Sequence, residues 1–111
     1  MSLPITPLKD GEIRETLSKL DGWELVGLEG GSDQWGLKKT LHFKTFPEAV
    51  NYMVACVPGI EERGHHPIWT NKYTGVTIVL TTFDVHNKVT ARDVDLAHFL
   101  DHQAQNFGAR E

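Results

Sequence analysis

Residues 76–83 constrain the fold more than any other stretch. Along an extended chain Val76, Ile78, Leu80 and Thr82 share one side, while Thr77, Val79, Thr81 and Phe83 share the other. A strand that is apolar or β-branched on both faces belongs in the middle of a sheet. Residues 68–73 form a second strand, joined to it through Thr74-Gly75 as a hairpin. Upstream, Trp35, Leu37, Lys39, Leu41 and Phe43 alternate with Gly36, Lys38, Thr40 and His42, which predicts a strand with one buried face. A glycine-rich turn at 29–33 links it to a strand at 23–28, giving a second antiparallel hairpin.

Helical patterns separate the hairpins. Asp10 is a candidate N-cap, with Ile13, Leu17 and Leu20 on one face and Asp21-Gly22 as the stop. Thr45-Phe46-Pro47-Glu48 is a helix start, and Phe46, Val50, Met53, Val57 and Ile60 form a stripe expected to lie on the sheet. Pro58-Gly59 should kink or end that helix about one turn before two adjacent histidines. Thr90-Ala91-Arg92-Asp93 opens the last helix, with Leu96, Phe99, Leu100, Gln103 and Phe107 inward. The order α-β-β-α-β-β-α predicts an α+β domain: a four-stranded antiparallel sheet carrying helices on one face. With 111 residues, the chain is expected to form a single domain over 1–111.

Charge and cysteine content exclude several classes of function. A formal net charge of -4, with Lys38-Lys39 the only adjacent basic pair, argues against nucleic acid as a partner. No apolar run reaches the roughly 20 residues that span a bilayer, and the first residues lack the features of a signal peptide. A cytoplasmic location is the expectation. Cys56 is the only cysteine, so an internal disulfide is ruled out, and its neighbours Val54, Ala55 and Val57 suit a buried filler.

The chemistry concentrates at Glu61-Glu62-Arg63-Gly64-His65-His66-Pro67-Ile68-Trp69, where a helix gives way to a strand. Pro67 pushes His66 toward extended angles, so His65 and His66 should point in different directions. Imidazole titrates near neutrality and suits proton transfer without a metal. Two other readings stay open. Glu61 and His65, with Asp84 and His86 downstream, could contribute to a metal site, although Gly64 and Pro67 disfavour a continuous helix face. The histidines could also simply satisfy backbone groups at a helix end. Trp69 could stack on a flat heterocycle or belong to the core, and Asp93 fits a helix cap as well as a binding role.

Taken together, Glu61, His65-His66-Pro67, Trp69, Tyr73, the strand 76–82 and Arg92-Asp93 resemble the signature of the pterin-4a-carbinolamine dehydratases. The resemblance covers nearly the whole chain. It implies dehydration of a 4a-hydroxytetrahydropterin in tetrahydrobiopterin recycling, with no metal and no organic cofactor. It makes His65 the proton-transfer residue and His66 a residue that holds substrate and assists. Substrate would contact Gly64, Thr81, Thr82, Phe83, Asp84 and Arg92, with Glu61, Trp69 and Asp93 in supporting positions. The expected partners are a pterin substrate and further copies of the chain, as a homodimer or homotetramer, with neither nucleic acid nor membrane.

One position departs from that signature. Phe83 stands where the family carries a third histidine, directly after the threonines of the strand, and the following loop lacks a glycine. Phenylalanine cannot transfer a proton. His86, three residues on, is therefore a candidate substitute acid, and a dehydratase-like binding, assembly or dimerisation protein is the alternative to an enzyme.

Overall fold

The structure, a computed structural model, describes residues 3–29 and 32–110; Gly30 and Gly31 of the expected turn at 29–33 lie outside the described residues. Its strands are β1 (Glu24–Gly27), β2 (Trp35–His42), β3 (Ile68–Lys72) and β4 (Gly75–Leu80), and its helices α1 (Asp10–Leu17), α2 (Phe46–Arg63) and α3 (Ala91–Asn106). The strands form one antiparallel sheet in the order β1-β2-β4-β3. As its two-sided apolar pattern requires, β4 is an interior strand. Leu37, Lys39 and Leu41 of β2 pair with Leu80, Ile78 and Val76 of β4, all six on the helix-covered face and buried. On the other face Thr77 and Val79 are only half-buried, because among the described residues that side carries no helix.

Four local expectations need correction. The strand predicted over 76–83 ends at Leu80, where the hydrogen bonding changes partners. The Thr81 hydroxyl donates to the Trp35 carbonyl at 2.8 Å, and Thr82 N–H turns to Lys88 at 3.0 Å. Phe83 therefore begins a 3₁₀ turn, Phe83–Val85, instead of ending a strand.

Second, α2 is rotated about its axis relative to the predicted stripe. Ala49, Tyr52, Cys56 and Ile60 are buried, whereas Phe46 and Val57 stand about half exposed. Tyr52 wins the inward position because its ring packs 5.0 Å from Phe43 and 6.1 Å from Phe107 while its hydroxyl donates to the Leu100 carbonyl at 2.9 Å. A buried aromatic with a satisfied hydroxyl contributes more than a flexible apolar side chain in the same place.

Third, Pro58-Gly59 does not end α2, which continues through Glu61, Glu62 and Arg63 to a left-handed cap at Gly64, φ 61°. Pro58 is on the exposed side, where the one missing hydrogen bond is tolerable. Fourth, α1 is capped at Lys9, whose backbone N–H donates to Glu12 at 2.9 Å, and ends at Leu17. Leu20 still reaches the core from the turn that follows.

Lys39, placed on the inward face of β2, is buried with its charge balanced. Its Nζ donates to Asp101 at 2.9 Å and to the Asp21 carbonyl at 2.8 Å, while Trp23 donates its indole N–H to the same carboxylate at 2.9 Å. This polar group ties the turn after α1 to α3.

Candidate functional site

The histidine pair is aimed by the end of α2. Gly64 adopts the left-handed conformation that glycine reaches without penalty, reversing the chain so that the next two residues leave the helix axis before β3 begins. His65 then turns inward and His66 outward. The His65 side chain is 11% exposed, and its Nε2 lies 2.6 Å from Asp93 Oδ1. His66 Nε2 lies 3.0 Å from Glu61 Oε1 on the surface, one turn back along α2.

Asp93 is fully buried in the first turn of α3, where the helix dipole favours an anion. Its second oxygen accepts from the Thr82 hydroxyl at 2.8 Å and from Thr90 N–H at 2.9 Å. The two threonine hydroxyls are themselves 2.8 Å apart. The chain end of β4, the cap of α3 and the residue after the cap of α2 thus meet at one carboxylate.

In front of this group lies a cleft of about 180 Å³ lined by Gly64, His65, His66, Thr82, Phe83, Asp84 and Arg92. Phe83, one of its walls, is 63% exposed. Arg92 is anchored by donation from Nε to the Leu3 carbonyl at 2.8 Å. Chemically, the cleft offers an imidazole backed by a buried carboxylate, a second imidazole paired with a surface acid, an exposed aromatic ring and a guanidinium. This set can move a proton and hold a flat polar molecule by one edge.

The structure gathers most of the residues singled out in the sequence but not all. Gly64, His65, His66, Thr82, Phe83, Asp84 and Arg92 line the cleft, Glu61 bonds His66, and Asp93 stands behind His65. Thr81 is buried and bonded toward β2. Trp69 sits on the helix-covered face of the sheet, packed against the core. His86 does not line the cleft; its Nε2 lies 3.3 Å from Gln34 Nε2, on the side facing β2. Glu61, His65, Asp84 and His86 do not converge, and among the described residues no group of three or more His, Cys, Asp or Glu is placed to hold a metal. Thr90 was visible in the sequence only as a helix cap. A cap whose partner acid, Asp93, also faces a histidine was the missing signal.

Comparison with known proteins places these features in a family. Residues 6–103 match the family described as Pterin 4 alpha carbinolamine dehydratase. A protein of Opitutus terrae, provisionally named a pterin-4-alpha-carbinolamine dehydratase, is 39% identical over 92 residues, covering 83% of this chain and 88% of the relative. A protein of Rhizobium meliloti with the same provisional name is 40% identical over 93 residues, covering 84% of each. The crystal structure of a transcriptional coactivator/pterin dehydratase from Brucella melitensis superposes with a TM-score of 0.77 at 29% identity, covering 89% of this chain and 99% of that one. Among the described residues no helix is long and apolar enough to cross a membrane.

Proposed function

The chain belongs to the pterin-4a-carbinolamine dehydratase family, and on that footing we propose that it removes water from a 4a-hydroxytetrahydropterin to give a quinonoid dihydropterin, recycling a tetrahydrobiopterin cofactor in the cytoplasm. The observation that carries this reading is the inward imidazole of His65, held at 2.6 Å from a fully buried Asp93 on the wall of the cleft. In the reaction the ring nitrogen beside the carbinol carbon donates its electron pair, the C–O bond breaks, and an acid protonates the departing hydroxyl. A ring N–H proton is then lost to a base, so water is the only other product. Two imidazoles suffice for these transfers, and neither step needs a metal.

His65 is the proton-transfer residue in this scheme, and His66, steadied by Glu61, holds the substrate and assists. At about 180 Å³ the cleft is smaller than the roughly 300–1,000 Å³ that encloses a whole drug-sized ligand. A bicyclic pterin would therefore enter by one edge, with Phe83 against its exposed part. General acid catalysis contributes about 10²- to 10⁴-fold. His65→Ala should accordingly slow dehydration of a chemically generated 4a-hydroxypterin at least about tenfold. A wild-type protein no faster than buffer would overturn the reading.

A second reading rests on Phe83, which puts a ring unable to transfer a proton where the family signature has histidine, while His86 is turned toward Gln34. It makes the chain a dehydratase-like binding or assembly protein. Phe83→His separates the two: a large gain from a near-inactive wild type favours the second reading, and little gain over an active wild type favours the first.

We also propose that the chain works as a homodimer or homotetramer. The support is the outer side of α2, where Phe46, Val54 and Val57 present apolar surface that no other described element covers.

A further inference from the structure

We propose that Thr82 and Thr90 are positioning residues which orient Asp93 and thereby fix His65 in its Nε2–H tautomer, making Nδ1 the nitrogen that meets the substrate. The inference builds on His65 as the proton-transfer group of the proposed dehydration, but its geometry stands without any substrate.

The assignment follows from counting donors. Asp93 Oδ2 accepts from Thr90 N–H at 2.9 Å and from the Thr82 hydroxyl at 2.8 Å. A hydroxyl has one proton, so once Thr82 gives its proton to Asp93, the Thr90 hydroxyl must donate across the 2.8 Å contact between the two threonines. The Thr90 oxygen in turn accepts from Arg92 N–H at 3.2 Å. Every proton in this chain therefore points toward Asp93 Oδ2. That oxygen has no acceptor to which an acid proton could be given, which leaves Oδ1 facing His65 Nε2 at 2.6 Å. A proton shared between a carboxylate and an imidazole sits on the more basic imidazole. His65 Nε2 thus carries hydrogen and is used up in the interior. Nδ1 has no hydrogen-bond partner among the described residues, and His65 lines the cleft.

The arrangement reverses the familiar hydrolase triad, in which the acid holds Nδ1 and Nε2 does the chemistry. It also assigns a purpose to a helix cap. Thr90 and Asp93 close the start of α3 as a capping box, and the same box is the clamp that sets the tautomer of a residue 28 positions away in sequence from Asp93.

Long-range ¹H–¹⁵N correlation spectra of the ligand-free protein with ¹⁵N-labelled histidine test this directly. His65, assigned by its loss in His65→Ala, should appear as the Nε2–H tautomer with an unprotonated Nδ1. Detection of the Nδ1–H tautomer in the wild type would overturn the proposal with no variant needed. In Asp93→Asn the two donors, Thr82 and Thr90, should turn the amide oxygen toward themselves and its NH₂ toward His65. The histidine is then forced to accept at Nε2 and carry hydrogen at Nδ1. A reversed tautomer in Asp93→Asn supports orientation by the threonines, and an unchanged one overturns it. Reversal should also lower kcat at least about tenfold, as an incorrect tautomer does in a hydrolase triad. A wild type that shows the Nε2–H tautomer yet has no dehydratase activity would remove the dehydration reading and leave this assignment standing.

Discussion

Gly59 is fixed by a single neighbour. A Cβ at that position would come within 2.1 Å of the Phe99 ring, so the glycine is what lets α2 and α3 approach. Alanine is worth about 0.5–1 kcal/mol over glycine inside a helix, whereas forcing atoms into a packed interface costs about 1–3 kcal/mol. The steric term wins, and Gly59→Ala should lower stability by about 1–2 kcal/mol in urea denaturation; an unchanged or higher midpoint would contradict the packing. At this scale the sequence was most informative where chemistry and backbone coincide. His65, His66 and Asp93 were named from residue type and position and Gly64 from the family resemblance, and the four lie together. Thr81, Trp69 and His86 were not separable in the same way. Thr81-Thr82-Phe83 continues the β-branched and aromatic run of the strand, so nothing in it announces that pairing stops at Leu80. Once the strand ends, alternation no longer tells which way a side chain points.

Among the elements, α2 shows why helical period alone leaves a face undecided. Phe46, Val50, Met53, Val57 and Ile60 have helical spacing, but so do Ala49, Tyr52, Cys56 and Ile60. The second set is the one inside, decided by contacts of Tyr52 with Phe43, Phe107 and Leu100 that belong to other elements. The consequence is a helix apolar on two sides, with Val54 63% exposed. If that outer side joins copies of the chain, Val54→Lys with Val57→Lys should shift sedimentation to a smaller species. Changes at exposed positions usually stay within about 0.5 kcal/mol, so the fold should survive. A wild type that sediments as a monomer, or a double variant that sediments like the wild type, would contradict the proposed assembly.

For the molecule as a whole, the order of elements and the one-sided helical layer were legible because they follow from pattern: two hairpins, one with an alternating strand and one with a two-sided strand, and three capped helical segments. Their relative rotation and the polar group of Lys39, Asp101 and Trp23 were not, since both depend on partners far apart in sequence. The shared core makes one prediction about pH. Burial raises the Cys56 thiol from 9.0 to about 11, and burial also raises the Tyr52 hydroxyl, with Cys56 adding to it. Both groups are held in their neutral forms, so their contribution is complete below about pH 9 and declines as pH climbs toward and through about 11. Urea denaturation across that range should show falling stability, with a shallower fall in Cys56→Ala; equal slopes would contradict it. The most direct test of the whole account is a crystal structure with an unreactive oxidised pterin bound. The ring edge should lie in the cleft, with a polar atom at about 2.6–3.2 Å from His65 Nδ1. A pterin bound elsewhere, such as in the larger cleft between the turn after α1, β2 and α3, lined by Lys19, His98 and His102, would contradict it.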